Sequence, residues 1–284
     1  METFDREFDL TVTIVLIVLH AIFILGIIYG YSLGFYPISW ILAGIFMGGG
    51  GLGVTIMYHR GLTHKSFICN NIYVKRALMY FAGLIQNAKS WVPNHWAHHA
   101  YTDTALDPHS PYWPYHGGLK VWWWSHIGWL SWKYIPQEHL RNHPDLQNKD
   151  IVWENKWHVP FVASGFFIPL VIGGLYGVGI GGWKNFLYYG ADSFILAVIS
   201  RTIMLHITLF INSFGHMIGW HARSITDRLF KTDSSRNNPL LAAISFGEGN
   251  HGDHHKYQNS ARNGFFDPSL PVILFFEKCG IFRS

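Results

Sequence analysis

The chain has 284 residues, 49% of them hydrophobic and 13% charged, with a formal net charge of +4. So much apolar side chain and so little charge exclude an ordinary soluble domain and point to a membrane protein. Two cysteines, Cys69 and Cys279, lie far apart with no C-x-x-C pair, which excludes a disulfide framework, a thiolate metal site and a dithiol redox motif.

The N-terminus, Met1 to Asp9, is acidic, and the apolar run behind it has no small-residue cleavage site, so that run is read as a retained span rather than a signal peptide. Leu10 to Tyr31 would reach about 33 Å as a helix, enough for a hydrocarbon core of roughly 30 Å. Ser39 to Tyr58 gives the second span, Pro160 to Trp183 the third and Phe186 to Phe214 the fourth. The fourth would measure about 43 Å, so its last turns should project beyond the bilayer. Asp192 and Arg201 are its only charges. Nine residues apart, they should face opposite sides of the helix and serve boundary and packing roles.

The segment from His59 to His158 holds ten Lys or Arg and the tail after His216 holds eight, whereas the opposite connections hold only Lys184. By the bias of basic residues, both histidine-rich segments and both termini are cytoplasmic. Ile72 to Leu84 and Trp122 to Trp132 are apolar but too short or interrupted to span, and read as helices along the membrane surface. The expected fold is all-α and integral to the membrane: four transmembrane helices in two hairpins, with a cytoplasmic helical cap carrying a di-metal site. With no internal repeat or low-complexity linker, residues 1–284 read as a single domain. Gly48, Gly50 and Gly53 satisfy G-x-G-x-x-G, yet no strand precedes them, so a dinucleotide site is rejected. Gly44 and Gly48 instead suggest close packing of the second span.

Histidine carries the chemistry. Of the eighteen histidines, His59 and His64 form H-x-x-x-x-H at the end of the second span. His95, His98 and His99 form H-x-x-H-H, and the same spacing returns at His251, His254 and His255. On a helix, positions i, i+3 and i+4 share a face, so each triple can aim its imidazoles at one centre. Eight ligands exceed the needs of one ion and suggest two. Imidazole suits iron, zinc, copper and nickel, and spacing does not choose among them. A site at the membrane face with no evident hydrolytic target favours redox metals acting on lipid. His20 reads as a hydrogen-bonding residue within the membrane, and His109, His116, His126, His139, His143 and His158 as surface or supporting residues.

The three boxes, with Asp107-Pro108-His109, Ser125-His126-Ile127-Gly128-Trp129-Leu130, Gly247-Glu248-Gly249-Asn250-His251 and Asn212-Ser213-Phe214-Gly215-His216, resemble the membrane fatty-acyl desaturases, the family of stearoyl-CoA delta-9 desaturase. The resemblance covers nearly the whole chain. It implies a non-haem di-iron oxidoreductase with two Fe2+ and O2 as co-substrate, introducing a cis double bond, delta-9-like, into an acyl chain. It implies His216 as a ninth metal ligand and Asn212 as the holder of a metal-bound water. It also implies that Trp91, Thr208 and Gln86 shape the acyl tunnel, with Gln86 one residue nearer Trp91 than in the animal enzymes. Asp103, Glu248 and Asp253 are candidates to orient imidazoles through their outer N–H groups.

The chain departs from the animal enzymes where their coenzyme-A-binding Arg-Asp pair gives way to Pro93 and Asn94. The carrier is therefore left open among acyl-CoA, acyl carrier protein and acyl-lipid. His143-Pro144-Asp145-Leu146 lacks the H-P-G-G pattern of cytochrome b5, so no such domain is expected. Electrons should come from a separate ferredoxin, rubredoxin or cytochrome b5 with its reductase. Membrane lipid is the other expected partner, and nucleic acid is not. The location would be the inner membrane of a bacterium or the endoplasmic reticulum of a eukaryote. Two other readings stay in play: a fatty-acyl hydroxylase or other di-iron lipid oxygenase, and a histidine-rich metal transporter, whose ligands should lie nearer the bilayer midplane.

Overall fold

The computed structural model describes residues 6–113, 118–134, 142–222 and 232–284; His116 and His139 lie outside them. Helix α1, Leu10–Leu33, starts where the Asp9 side chain accepts from Val12 N at 3.0 Å, and it exposes apolar side chains almost all round. It comes close to the rest of the molecule at Gly26, where a Cβ would meet Ile195 at 2.9 Å. Helix α2, Pro37–Leu52, has proline in its first turn and runs on without a break into a π-helix, Gly53–Thr63. Helices α3, Ile72–Gly83, and α4, Ala88–Tyr101, follow, each capped by an asparagine side chain. Helix α5, Gly118–His126, leads into a short 3-10 turn at Gly128–Ser131.

Two long helices complete the frame: α6, Lys149–Gly181, and α7, Phe186–Met217. Short helices α8, Pro239–Ile244, and α9, His251–Lys256, precede α10, Leu270–Lys278. Two small antiparallel pairs tie the ends down: Arg6–Phe8 with Trp132–Tyr134, and Ile68–Cys69 with Phe282–Arg283. The four long helical stretches are long and apolar enough to cross a membrane.

Two boundaries and one packing contact differ from the sequence reading. The second stretch continues past Tyr58 to Thr63. The third begins at Lys149 rather than Pro160 and passes through both Pro160 and Pro169. Its 33 residues span about 50 Å, so its first turns stand clear of any bilayer. There the buried Glu154 carboxylate accepts from Ala88 N at 2.9 Å and lies 3.1 Å from His158 Nδ1, tying α6 to the start of α4. The close approach of the second stretch falls on Gly53, where a Cβ would meet the Leu78 carbonyl oxygen at 2.5 Å, and not on Gly44 or Gly48, where it would meet nothing within 4 Å. Residues 49 and 53, four apart, form the face that α3 crosses.

Charge inside the long helices is matched locally. Asp192 accepts from Tyr29 Oη at 3.1 Å, Tyr36 N at 3.1 Å and Ser39 Oγ at 2.5 Å, binding α1 and α2 to α7. Arg201 donates to the carbonyls of Val162 and Leu84. His20 Nε2 lies 3.0 Å from His206 Nε2, and His206 Nδ1 lies 2.9 Å from His126 Nε2. His20 Nδ1, 2.6 Å from the Leu16 carbonyl, must carry the proton there. That fixes one donor direction along the chain of three rings. His206→Leu is expected to leave nitrogens on His20 and His126 unmatched, costing about 1–3 kcal/mol for each buried group. A lower thermal midpoint in detergent, with unchanged metal content, checks this.

Candidate metal centre

The H-x-x-x-x-H spacing makes sense only in the geometry of its helix. On an α-helix, residues five apart sit about 140° from one another. In the π-helix, His64 N donates to the His59 carbonyl five residues back at 3.1 Å, and the two rings come to 4.9 Å between centroids. His95, His98 and His99 project from α4, and His251, His254 and His255 from α9. His216 sits in the last turn of α7, on the part that the sequence reading expects to project.

All nine imidazoles meet and fall into two groups. His59, His64, His95, His99 and His254 form one, and His98, His216, His251 and His255 the other, with ligand atoms inside each group within 4.8 Å of one another. In the first group Nε2 atoms stand 3.0 Å apart for His59 and His254, 3.0 Å for His64 and His95, and 2.9 Å for His254 and His99. In the second they stand 2.9 Å apart for His251 and His216, 3.1 Å for His255 and His251, and 3.2 Å for His98 and His255. Nitrogens held about 2.1 Å from a shared ion at right angles stand about 3.0 Å from each other, so each group fits one ion.

The outer nitrogens show how the rings are aimed. Glu248 lies 2.5 Å from His59 Nδ1, Asp107 2.9 Å from His98 Nδ1, Asp103 3.1 Å from His216 Nδ1 and Asp233 3.4 Å from His255 Nδ1. A carboxylate facing Nδ1 accepts from its N–H, which keeps the ring proton on Nδ1 and turns the Nε2 lone pair to the group centre. The distribution is uneven. Among the described residues, three of the four rings in the second group have a carboxylate, but one of the five in the first.

Asp103 adopts φ 61°, a left-handed conformation, and its Oδ2 also accepts from Ser234 N at 2.8 Å. The turn it makes brings Asp107 back beneath α4, where Asp107 Oδ2 accepts from Asp103 N at 2.9 Å. Asp253 is placed otherwise than expected. Two residues past His251, it points away from the face shared by the imidazoles, and its carboxylate lies beside Gly264.

Burial pushes His64, His95, His99, His251 and His254 well below the ordinary imidazole range, and the neighbouring rings push the same way. Burial also pushes His255 down to about 4 against the pull of Asp233. Neutral rings at pH 7 have their lone pairs free for a metal. Burial alone would raise the carboxyls of Asp107, Asp233 and Glu248, but the facing histidines, joined at Glu248 by Arg60, lower all three.

Arg60, 1% exposed, locks the π-helix to the cap. It donates to Glu248 Oε1 at 3.1 Å, Asp267 Oδ2 at 3.0 Å and the Thr55 carbonyl at 3.0 Å. Arg60→Met is expected to leave the buried Asp267 carboxylate without its facing cation, to remove one partner of Glu248, and to cost about 3–5 kcal/mol. Thermal unfolding in detergent checks this, and Arg60→Lys should rescue little because one ammonium cannot match the forked geometry.

A narrow cavity of about 60 Å³ adjoins the imidazoles and is lined in part by Gln86, Trp91, Thr208 and Asn212. Trp91 stacks on His95 at 4.8 Å between centroids. His109 lines the same cavity with its ring 4.5 Å from His98, nearer the centre than its sequence context suggested. Asp107, Asp233 and Arg60 were also missed as contacts of the centre. Asp107 stood in a recognised motif, whereas nothing local marks Asp233, which reaches His255 only through the fold.

The frame and its centre define a class: a multi-span membrane protein with a histidine-built site fit for two metal ions. The fatty acid desaturase family profile matches residues 34–262. The sn-1 stearoyl-lipid 9-desaturase of Anabaena variabilis is 32% identical over 259 residues, covering 86% of this chain and 83% of the relative. A probable acyl-CoA desaturase of Schizosaccharomyces pombe is 31% identical over 93% of this chain, which spans 53% of that longer protein. The hex-5-enoyl-(acyl-carrier protein) acetylenase of Moorena producens is 31% identical, covering 88% of this chain and 78% of the relative. The chain belongs to the fatty acid desaturase family and is an acyl desaturase, an oxidoreductase.

Proposed function

We propose that this protein uses two irons and dioxygen to convert a methylene pair of a long acyl chain into a cis double bond, delta-9-like in position, acting as one domain. The observation that carries the reading is the division of nine imidazoles into groups of five and four beside a slot lined by Trp91 and Thr208. His59, His64, His95, His99 and His254 would hold one iron, and His98, His216, His251 and His255 the other. Two irons there would supply the activation of dioxygen that removing hydrogen from an unactivated methylene requires.

The residues of the chain do the rest. Asp103, Asp107, Asp233 and Glu248 keep the rings in one tautomer and orientation. Asn212, at the wall of the slot, would hold a water at the centre. The slot fixes one carbon pair against the imidazoles, so position along the chain, and not intrinsic reactivity, selects the bond. The balance is one saturated pair, one O2, two electrons and two protons giving one alkene and two waters. The electrons come from a separate ferredoxin, rubredoxin or cytochrome b5 with its reductase. Both termini and the centre face the cytoplasm, following the bias of basic residues.

Expression in a host lacking unsaturated lipids tests the function. New cis double bonds, located by mass spectrometry and confined to one position, are expected. Hydroxylated chains alone would replace desaturation by hydroxylation, and metal uptake into vesicles without lipid oxidation would make the protein a transporter.

A further inference from the structure

A second cavity, about 720 Å³, lies beside the metal slot, and the two share Gln86, Asn94 and Trp129 on their walls. Its position is unusual for a chamber filled from water. Helices α1 and α6 each pack on α7, and the cavity occupies the space between them. One wall is the α1 face of Val12, Val15, Leu16 and Leu19; the other carries Val162 and Phe166 of α6. Val15 on that face is 59% exposed, so the cavity opens sideways along a helix that is apolar on every side.

The opening has depth and polarity. Its rim includes Asp9, where α1 begins, with Lys89 and Lys133. From Asp9 to Leu19 the wall runs about 15 Å, half of a hydrocarbon core. Lys133 lies 3.7 Å from Asp9, whereas Lys89 is exposed and has no carboxylate within 4.0 Å among the described residues. A chain arriving on a water-soluble carrier needs entry only at the rim. A lipid in a bilayer crossed by α1 would lie along that helix, and with Lys89 on the same rim as Asp9, where the helix begins, its phosphate would come to Lys89 and its methylenes to the opening.

We infer that the cavity takes its acyl chain sideways from the bilayer, and that the substrate is an acyl chain still esterified in a glycerophospholipid whose phosphate is held by Lys89. Gln86, Asn94 and Trp129 then form the doorway from this vestibule to the imidazoles. The inference rests on the acyl-desaturase reading and names its carrier.

Photocrosslinking tests it without turnover. Purified protein, reconstituted in phosphatidylglycerol vesicles containing a phosphatidylglycerol with a diazirine on its acyl chain, is irradiated and the labelled residues are mapped by mass spectrometry. Label is expected on Leu16, Leu19 and Val162, beyond that on Ile17, which faces outward and reports ordinary lipid contact. Val15→Trp should abolish the inward label, and Ile17→Trp should leave it intact. Lys89→Gln should weaken it about fivefold with phosphatidylglycerol, the loss of one lysine to anionic-lipid attraction, but not with a diacylglycerol probe. Equal labelling of both α1 faces, or displacement of the inward label by excess stearoyl-CoA, would overturn the inference. The host experiment is independent: absence of new double bonds there removes the functional reading and leaves the lipid vestibule standing or falling on its own label.

Discussion

Replacing His254 with alanine is expected to lower bound metal from two ions per chain to one and to abolish desaturation. His254 Nε2 sits between His59 and His99, 3.0 Å and 2.9 Å away, so it is shared by two edges of the five-ring group. Losing an outer-shell partner typically costs about 10–100-fold in metal affinity, and losing a direct ligand at such a crossing costs more. His98→Ala should do the same to the other group, since His98 Nε2 lies 3.2 Å from His255 Nε2. Metal analysis with double-bond analysis in the complementation host measures both effects. Near-normal desaturation by either variant would end the assignment of these rings as ligands.

The second large effect is expected from Asp107→Asn. Asp107 is fully buried; its Oδ2 takes both His98 Nδ1 and Asp103 N at 2.9 Å, and its Oδ1 accepts from His109 N at 3.1 Å. One carboxylate thus aims a ring and closes the turn that carries Asp103 to His216. An amide keeps the volume but loses the charge that favours the Nδ1 proton, and its own N–H can face that proton. Metal affinity of the four-ring group should fall about 10–100-fold, while the five-ring group retains its ion. Chelator competition monitored by metal content resolves the two losses, and equal retention of both ions would contradict the proposed role.

What the sequence revealed of this centre depended on how local each signal was. The two H-x-x-H-H triples were legible because α4 and α9 are ordinary helices on which positions i, i+3 and i+4 converge. His59 and His64 were recognisable as a pair but not as neighbours, since the π-helix that aligns them has no simple residue signature. Asp103 and Glu248 stand on histidines, whereas Asp253, within the last box, falls on the wrong side of a six-residue helix. Asp233 becomes a partner of His255 only when the chain is folded.

The long helices followed a similar rule. Hydropathy located the four stretches because apolar composition is all that spanning requires. It placed the third start too late, since Lys149 to His158 is polar enough to read as a loop. That stretch is helical because Asn148 caps it, accepting from Asp150 N at 2.9 Å, and because Glu154 is anchored to α4. The ring chain of His20, His206 and His126 was half legible: His20 was expected to bond a neighbouring helix, but its extension to His126 depends on where α5 settles against α7.

The account rests on nine imidazoles forming two separate metal sites, and metal stoichiometry addresses that most directly. Elemental analysis of protein purified without chelator, with Mössbauer spectroscopy of the iron-57-enriched sample, should give two irons per chain in unequal environments, five-ring and four-ring. One metal per chain at saturation, or two that are not iron, would contradict it.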